Sequence, residues 1–332
     1  MPEPPAVEID HLVKRYKEVV AVDGISLRIE PGELFGMLGP NGAGKTTTLG
    51  ILSTLRKPTS GAARVWGFDV VRQRAEVRRR IGIVFQEFSL DDKLTGRENL
   101  DFHGRLYGMP RGLRRERIDE VMQLVDLADK AKIRVEKYSG GMKRRLEIAR
   151  GLMHAPPLLF LDEPTLGLDA QTRRQIWDYL ADLRERVGVT MILTTHYMDE
   201  ADALCGRIAI VDKGQVIACD TPDALKASLG GDAVRLEVED EHGGETTRAA
   251  LEALPFVAKV AASDGHLDLA LVDAERHVPD LVDAVRDAGG AIRSLQFRRP
   301  TLEDVFLHFT GRQMRDDAGG DAWAVSRAQR RH

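Results

Sequence analysis

The sequence predicts an α/β fold with a mainly parallel sheet, followed by a small α+β domain. Short, continuous apolar runs alternate with longer helical patterns along the first two thirds of the chain. Such runs are typical of strands whose sheet is covered by helices on both faces. The predicted strands lie at 33–38, 81–85, 158–161, 190–194 and 208–211. With 332 residues, the chain is long enough for two domains with ordinary cores.

Charge and composition exclude several classes of protein. The chain has 48 Lys and Arg against 52 Asp and Glu, so it lacks an overall basic field for nucleic acid or anionic lipid. Its two cysteines, Cys205 and Cys219, are too few for a disulfide framework and favour a reducing cytoplasm. No secretory signal is expected, and no apolar stretch approaches the ~20 residues that span a bilayer. We therefore expect any membrane-crossing part to belong to another chain.

A domain boundary is predicted near residue 220, because the net charge changes from positive to negative there. The turn-rich sequence 219–223, a short helix-like segment after it and the pair Gly230 and Gly231 indicate a linker over 221–231. The first domain is then 6–220. Within it, residues 91–150 form a helical insertion, since this part is charged and helix-like and has no strand pattern.

The second domain is predicted over 232–312. Alternating or strand-like sequences at 234–239, 267–272 and 291–299, with a helical pattern at 277–288, indicate a small α+β domain. We expect the polar tail, 313–332, to be disordered.

A phosphate-binding loop is the first functional motif. Residues 39–46 match G-x-x-x-x-G-K-[ST], follow an apolar strand and open a helical stretch. Backbone amides in such a loop surround a phosphate at a helix N-terminus, where the helix dipole favours negative charge. Lys45 would reach the β- and γ-phosphates, and the Thr46 hydroxyl would bind Mg²⁺. The predicted binding segment comprises Gly39, Pro40, Asn41, Gly42, Ala43, Gly44, Lys45, Thr46 and Thr47.

Two acidic residues end the predicted strand at 158–161. The carboxyl ends of such strands form the edge where open α/β folds bind ligands. Asp162 would hold Mg²⁺ through its water shell, and Glu163 would orient and deprotonate an attacking water. An acidic pair after a strand is more often a helix cap, but the phosphate-binding loop upstream favours the catalytic interpretation.

The sequence Tyr138-Ser-Gly-Gly-Met-Lys143 indicates which kind of nucleotide-hydrolysing protein this is. Here the chain resembles an ATP-binding-cassette (ABC) ATPase, whose signature is usually Leu-Ser-Gly-Gly-Gln; this copy departs from it at Tyr138 and Met142. Ser139 and the amides of Gly140 and Gly141 would form a second anion site at a helix start. We expect that site to survive, whereas the contact normally made by the final glutamine is altered.

Further residues match the family's motifs in order. Gln86 matches the Q-loop glutamine that senses Mg²⁺ and the attacking water, and Asp169 ends a match to the D-loop. His196 matches the switch histidine that contacts the γ-phosphate, and Tyr16 matches the aromatic residue that stacks on adenine. Because they occur together in register, they identify the chain as a cassette although each alone would usually be structural.

The resemblance implies a P-loop NTPase cassette with a mainly parallel sheet, an antiparallel β part and a helical signature subdomain. It also implies a head-to-tail dimer, expected to be a homodimer, with ATP and Mg²⁺ held between one chain's phosphate-binding loop and the other's Ser139. A partner cassette in a heterodimer remains an alternative. Hydrolysis would proceed by attack of a water polarised by Glu163, with His196 and Lys45 stabilising charge.

Among cassettes, the chain looks most like ATP-binding subunits of the daunorubicin/doxorubicin resistance type. The resemblance rests on 138–152, 194–222 and the appended sequence 300–311. It implies a separately encoded, multi-spanning permease that exports a hydrophobic small molecule, or a lipid or glycan. The chain would sit peripherally at the cytoplasmic side of the membrane. The added domain would stabilise a dimer or regulate it.

Two other functions fit the sequence less well. A soluble cassette ATPase acting on nucleic acid or ribosomes could use the arginine-rich segment 72–80. This segment lacks interleaved aromatic residues and the chain is slightly acidic, so a solvated helix is favoured and no nucleic-acid partner is expected. A catalytically silent cassette is disfavoured because Lys45, Glu163 and His196 are intact.

Overall fold

A computed structural model gives the fold. It describes residues 4–229, 232–239, 245–263, 266–271, 274–298 and 300–310. The contacts divide the chain into two compact units, with the boundary between Thr221 and Pro222. The predicted tail, 313–332, lies outside the described residues.

The first unit is built on a six-stranded sheet. Its strands are β3 (Leu34–Leu38), β6 (Ile81–Val84), β7 (Leu158–Asp162), β8 (Thr190–Thr195), β9 (Arg207–Asp212) and β10 (Gln215–Asp220). Their order in the sheet is β10-β9-β3-β8-β7-β6. All neighbours pair in parallel except β10, which runs antiparallel to β9. Every residue of β3, β7 and β8 is buried, as continuous apolar runs predict. The carboxyl ends of the parallel strands share one edge, and the loops that leave them meet there.

An antiparallel sheet forms the second layer of this unit. It comprises β1 (Val7–Tyr16), β2 (Val19–Ile29), β4 (Ser60–Val65) and β5 (Phe68–Asp69), in the order β2-β1-β4-β5. Helix α1 (Lys45–Leu52) contributes Leu49 to a core shared by both sheets, which includes Ile25, Phe35 and Phe160. The fold class predicted from the sequence, including the antiparallel part, is confirmed.

Helices cover the rest of the first unit. They are α2 (Arg74–Arg79), α3 (Gly96–Leu106), α4 (Arg111–Leu124), α5 (Gly140–Leu152), α6 (Ala170–Val187) and α7 (Met198–Leu204). Helices α3, α4 and α5 pack against one another as the helical insertion. Helix α3 begins with a reciprocal cap, in which Thr95 accepts from the Glu98 amide and the Glu98 side chain accepts from the Thr95 amide.

The second unit contains a four-stranded antiparallel sheet in the order β12-β13-β11-β14. Its elements are α8 (Pro222–Ala227), β11 (Asp232–Glu239), α9 (Glu245–Glu252), β12 (Val257–Ser263), β13 (His266–Leu271), α10 (Val278–Asp287), β14 (Ala291–Arg298) and α11 (Leu302–Thr310). Leu236, Leu269 and Leu281 lie in its core. The sequence predicts three of these strands and α10, and it misses β12, α9 and α11.

The segment 221–231, predicted as a linker, contains helix α8. Leu225 of this helix is buried, and α8 packs against α11 of the same unit. Among the described residues, no helix is long and apolar enough to cross a membrane. Cys205 and Cys219 are free thiols.

Candidate nucleotide-binding site

The phosphate-binding loop joins β3 to α1. Gly42 and Gly44 have φ angles of 80° and 106°, in the left-handed region that favours glycine. A Cβ atom at Gly44 would lie 2.4 Å from the carbonyl oxygen of Ala21, so no side chain fits there. The Gly39 amide donates to the carbonyl of Thr195 at 3.2 Å, which fixes the loop beside the end of β8. The free amides at the start of α1, together with the helix dipole, make this an anion site.

Lys45, the first residue of α1, is buried beneath the loop. Its Nζ donates to the carbonyl oxygens of Gly39 at 2.6 Å and Pro40 at 3.1 Å. It also lies 3.3 Å from Oε1 of Glu163. Burial lowers the pKa of Lys45, and the neighbouring Glu163 carboxylate opposes that shift. The ammonium group therefore lies among acceptors at the centre of the loop.

Asp162 ends β7 next to the loop. Its Oδ1 accepts hydrogen bonds from the Thr46 hydroxyl at 3.0 Å and from the Thr194 hydroxyl at 2.6 Å. Burial raises the pKa of Asp162, and these two hydrogen bonds partly oppose the rise. The sequence analysis missed Thr194, which pairs with Asp162 across β7 and β8. The sequence feature that points to a hydroxyl here is the pair Thr194 and Thr195, at the end of the apolar run 190–194 and at the same sheet edge.

The Thr46 hydroxyl and the Asp162 carboxylate fit a Mg²⁺ ion. Both offer the hard oxygen ligands that Mg²⁺ prefers. Among the residues that the structure describes, no group of three or more His, Cys, Asp or Glu could hold a metal. Magnesium sites in nucleotide enzymes rely on one or two carboxylates and on substrate phosphates, so this sparse donor set is consistent with Mg²⁺.

Glu163 lies between Lys45 and His196. Its Oε2 is 2.7 Å from Nδ1 of His196, while its Oε1 faces Lys45. Its backbone has a φ of 47°, a left-handed conformation that is uncommon for a residue other than glycine. The Glu163 amide donates to both the carbonyl and the hydroxyl of Thr194, each at 3.1 Å, and these bonds support that conformation. A buried carboxylate is thereby held with a cation on one side and an imidazole on the other.

The signature residues lie at the start of α5. Ser139 caps this helix, with its Oγ accepting from the Met142 amide at 3.2 Å, and both Ser139 and Gly140 are exposed. A Cβ at Gly140 would lie 3.2 Å from Leu168, and one at Gly141 only 2.7 Å from Thr172. The start of α5 is therefore exposed, and within residues 4–229 no hydrogen bond joins it to the phosphate-binding loop.

Tyr138, where the signature departs from the usual leucine, is buried in the helical insertion. Its hydroxyl donates to the Lys130 carbonyl at 2.9 Å. A Cβ at Gly96 would lie 2.5 Å from that hydroxyl oxygen, so the tyrosine fills the space that glycine leaves. The Tyr138 side chain is thus a packing residue of the insertion.

The remaining predicted residues lie outside the Lys45–Glu163–His196 cluster. Gln86 is exposed in the segment after β6. Asp169 caps α6 by accepting from the Thr172 amide at 2.9 Å. The Tyr16 hydroxyl accepts from Arg56 at 2.7 Å, and Lys14 lies over the tyrosine ring at 4.7 Å. In residues 4–229, no hydrogen bond joins the side chains of Gln86, Asp169 or Tyr16 to this cluster.

Comparison with known proteins shows the class to which this fold and site belong. The model of the ABC transporter family matches residues 22–166, and that of the DrrA1-3-like ATP-binding protein C-terminal domain matches 221–310. The chain belongs to the ABC transporter family, as an ATP-binding subunit.

Similar curated proteins are named for resistance and export. The daunorubicin resistance ATP-binding protein DrrA3 of Streptomyces coeruleorubidus is 45% identical, over 92% of this chain and 96% of that protein. The linearmycin resistance ATP-binding protein LnrL of Bacillus subtilis is 39% identical, over 93% of this chain and all of that protein. The Nod factor export ATP-binding protein I of Paraburkholderia xenovorans is 41% identical, over 95% of this chain and all of that protein.

Two solved structures of ABC proteins are similar in fold to this chain. The ATP-binding cassette MJ0796, determined as a dimer in a post-hydrolysis state with ADP and Pi, has 31% identity and a TM-score of 0.58, covering 65% of this chain and 98% of that one. CbiO1 of Clostridium perfringens, part of the transporter complex CbiONQ, has 27% identity and a TM-score of 0.64, covering 76% and 97%.

The chain is therefore an ATP-binding and ATP-hydrolysing subunit of an ABC exporter. This confirms the predicted family, activity and class of function over the nucleic-acid alternative and the silent cassette. The arginines of the segment 72–80 fit this conclusion because several bind protein groups. Arg74 donates to the Thr54 carbonyl, Arg78 donates to the Thr54 hydroxyl, and Arg79 pairs with Glu76.

Proposed function

We propose that two copies of this chain close head to tail on two ATP molecules. Each ATP would lie between Lys45 of one chain and Ser139 of the other. The proposal is supported by the exposed helix start at Ser139 and by the dimeric form of the related cassette MJ0796. ATP binding would join the two chains, and hydrolysis would let them separate.

The observation that carries the proposed chemistry is the buried row of Lys45, Glu163 and His196, with contacts of 3.3 and 2.7 Å. Glu163 acts as the general base that takes the proton from the attacking water. Lys45 and His196 stabilise the charge on the γ-phosphate, and preorganised charges are most effective in such a water-poor site. Gln86 and Asp169 complete the site when the chains close, and Tyr16 stacks on adenine.

Thr46 and Asp162 would hold Mg²⁺ together with the nucleotide, and Gln86 would join them when the chains close. A bound Mg²⁺ would supply charge neutralisation for the phosphates. Thr194 keeps the Asp162 carboxylate oriented, because its hydroxyl donates to Oδ1.

The free energy of ATP binding and hydrolysis would drive a separately encoded permease with several transmembrane helices. The chain would bind it peripherally, at the cytoplasmic side of the membrane. The names of the similar proteins support a hydrophobic small molecule of the antibiotic type as cargo. Co-purification of a multi-spanning membrane protein tests the pairing, and a compound that raises the pair's ATPase rate identifies the cargo. Recovery of the chain without any membrane partner, but with salt-dependent binding to RNA or DNA, would contradict it.

The variant Glu163→Gln tests the proposed site. It removes the general base but keeps the side chain's size and its ability to hydrogen-bond. We expect a stable dimer in ATP and Mg²⁺, with turnover reduced at least about a hundredfold by loss of the base. Size-exclusion chromatography with light scattering measures the dimer, and phosphate release measures turnover. A variant that stays monomeric with ATP would contradict the closed-dimer proposal.

A further inference from the structure

Tyr197 follows His196 in the segment between β8 and α7, and its ring packs against the imidazole. The two ring centroids are 4.1 Å apart, and the ring planes are tilted by 40°. The imidazole is also held at one nitrogen, because its Nδ1 lies 2.7 Å from Oε2 of Glu163. One contact fixes a nitrogen and the other fixes a ring face, so together they restrict how the imidazole can turn.

Arg173, in the first turn of α6, contacts the same tyrosine ring. Its guanidinium carbon lies 3.9 Å from the centroid of the Tyr197 ring, within cation–π range. The Nε atom of Arg173 is buried and has no hydrogen-bond partner in the part of the chain that the structure describes. Because burial of an unpartnered polar group is costly, the tyrosine ring is the contact that compensates for it. Arg173, Tyr197 and His196 therefore form one row of packed side chains.

A second contact between α6 and α7 holds the backbone of this segment. Trp177 lies one turn after Arg173 on α6, and its indole Nε1 donates to Oε1 of Glu200 at 2.9 Å. The Thr165 hydroxyl donates to the same oxygen at 2.7 Å. Glu200 belongs to α7 and is fully buried. Since these bonds hold α7 independently of the Tyr197 ring, removal of that ring frees the imidazole without displacing the helix.

We propose that Tyr197 and Arg173 are positioning residues for His196. The inference rests on the proposed function, in which His196 stabilises charge on the γ-phosphate. A stabilising group is most effective when it is held in place before the charge develops, since reorienting it during the reaction costs free energy. Tyr197 holds the imidazole through its ring face, and Arg173 holds Tyr197. Neither residue has to touch the nucleotide for this role.

Tyr197→Leu and Tyr197→Phe test the ring contact in the full-length chain. Leucine removes the aromatic face, whereas phenylalanine keeps it and lacks only the hydroxyl. We expect Tyr197→Leu to lower kcat for ATP about fivefold, the scale of one aromatic contact, with KM changed less than about twofold. Tyr197→Phe should keep kcat within about twofold of the wild-type value, because the ring is retained. Equal losses in the two variants would contradict a role for the ring.

Arg173→Met tests whether the guanidinium acts through the tyrosine. Methionine keeps an unbranched side chain but removes the charge. We expect kcat to fall about two- to threefold, the scale of one cation–π contact. In a Tyr197→Leu background the same substitution should have almost no further effect, because residues that act as a unit are non-additive. Losses that multiply in the double variant would contradict an action through Tyr197.

Arg80→Met is the matched control for loss of a cation–π contact. The guanidinium carbon of Arg80 lies 4.0 Å from the centroid of the Phe68 ring, a similar distance, and the pair includes no residue of the Lys45–Glu163–His196 cluster. We expect its kcat to stay near the wild-type value. A loss as large as that of Arg173→Met would contradict a specific effect on His196.

A His196→Ala background separates positioning from general stability. There Tyr197→Leu should change the remaining kcat less than about twofold, because the side chain that the ring positions is gone. The imidazole also gives a readout without turnover, since the ring current of Tyr197 shifts the NMR signals of the His196 ring protons. These signals should move in Tyr197→Leu and stay near their wild-type positions in Tyr197→Phe. The proposal is overturned if Tyr197→Leu leaves kcat unchanged, leaves these signals unmoved, or lowers kcat equally with and without His196.

The same variants distinguish this inference from the proposed function. Wild-type turnover by His196→Ala alone would count against the proposed role of His196 at the γ-phosphate. Slow turnover by His196→Ala together with unaffected turnover by Tyr197→Leu would count only against the positioning of the imidazole. Reduced turnover in both variants, with no further loss when they are combined, is the result that we expect.

Discussion

At the scale of single residues, the buried Asp162 carboxylate destabilises the folded chain, although its proposed role is to bind Mg²⁺ with the nucleotide. Burial raises its pKa above the ordinary value of 3.8, so its ionised form destabilises the folded chain. That destabilisation is complete above the folded-state pKa. It diminishes as the pH falls through that pKa, because the folded chain then takes up a proton before the unfolded chain does.

Asp162→Asn should therefore raise the melting temperature of the nucleotide-free chain near pH 7.5. The asparagine oxygen can still accept from the hydroxyls of Thr46 and Thr194, while the cost of a buried charge is removed. The advantage of the variant should shrink as the pH is lowered from 7.5 through the folded-state pKa of Asp162. At the same time, stabilisation by ATP with Mg²⁺ should be lost, since the carboxylate ligand is gone.

Thermal unfolding across that pH range measures both effects. Glu8→Gln is the control, because Glu8 is an exposed carboxylate paired with Arg64 and surface pairs contribute little. An advantage of Asp162→Asn that grew as the pH fell would contradict the assignment of a raised pKa to Asp162.

The sequence indicated that the residues of the Lys45–Glu163–His196 cluster lie at one sheet edge, but it did not indicate the contacts between them. Lys45, Glu163 and His196 each follow an apolar run within a recognisable motif, so their common sheet edge could be foreseen. The contact between Thr194 and Asp162 could not, because it depends on the register between β7 and β8. The sequence indicates only that threonines end the neighbouring strand. The hydrogen bonds from Arg144 to the carbonyl oxygens of Phe85 and Gln86 were missed for the same reason. In the sequence, an arginine within a charged helix cannot be distinguished from a solvated one.

At the scale of elements, the start of α5 serves two purposes. The Ser139 side chain caps the helix internally, and the exposed amides and hydroxyl are available to a phosphate. These purposes can be separated, because aspartate caps helices as well as serine does but repels an anion.

Ser139→Asp should leave the melting temperature of the isolated chain near the wild-type value and reduce ATPase activity at least about a hundredfold, through repulsion of the γ-phosphate. Ser139→Ala is the comparison, since it loses the cap at a cost of about 1 kcal/mol. Calorimetry and phosphate release measure the two properties. Wild-type turnover by Ser139→Asp would exclude this helix start from the ATP site.

Prediction of elements succeeded where burial is uniform. The strands β3, β7 and β8 are buried along their whole length, and their apolar runs have no other simple interpretation. Strand β12 was missed because Val257–Ser263 contains small and polar residues and only Val260 is buried among its residues with described side chains. Helices α9 and α11 are eight and nine residues long, which gives few turns in which a period can be seen.

At the scale of the whole molecule, the central claim is that one ATP site requires two chains. The cluster of Lys45, Glu163 and His196 is the proposed catalytic side of a site. Ser139 lies on an exposed helix start that, within residues 4–229, no hydrogen bond joins to the phosphate-binding loop. Each chain carries one copy of each motif. A dimer of identical chains would then contain two sites, each built from opposite halves of the two partners.

Mixing two inactive variants tests this claim most directly. Lys45→Ala removes the ammonium group of the phosphate-binding loop, and Ser139→Asp makes the signature repel the γ-phosphate. Each variant alone should therefore be inactive. Their mixed dimer would pair the intact Lys45 of one chain with the intact Ser139 of the other, which rebuilds one complete site. We predict that the mixture hydrolyses ATP several-fold faster than the sum of its two components, with a maximum near equal amounts. A mixture no more active than that sum, at concentrations where the mixed dimer forms, would contradict the account.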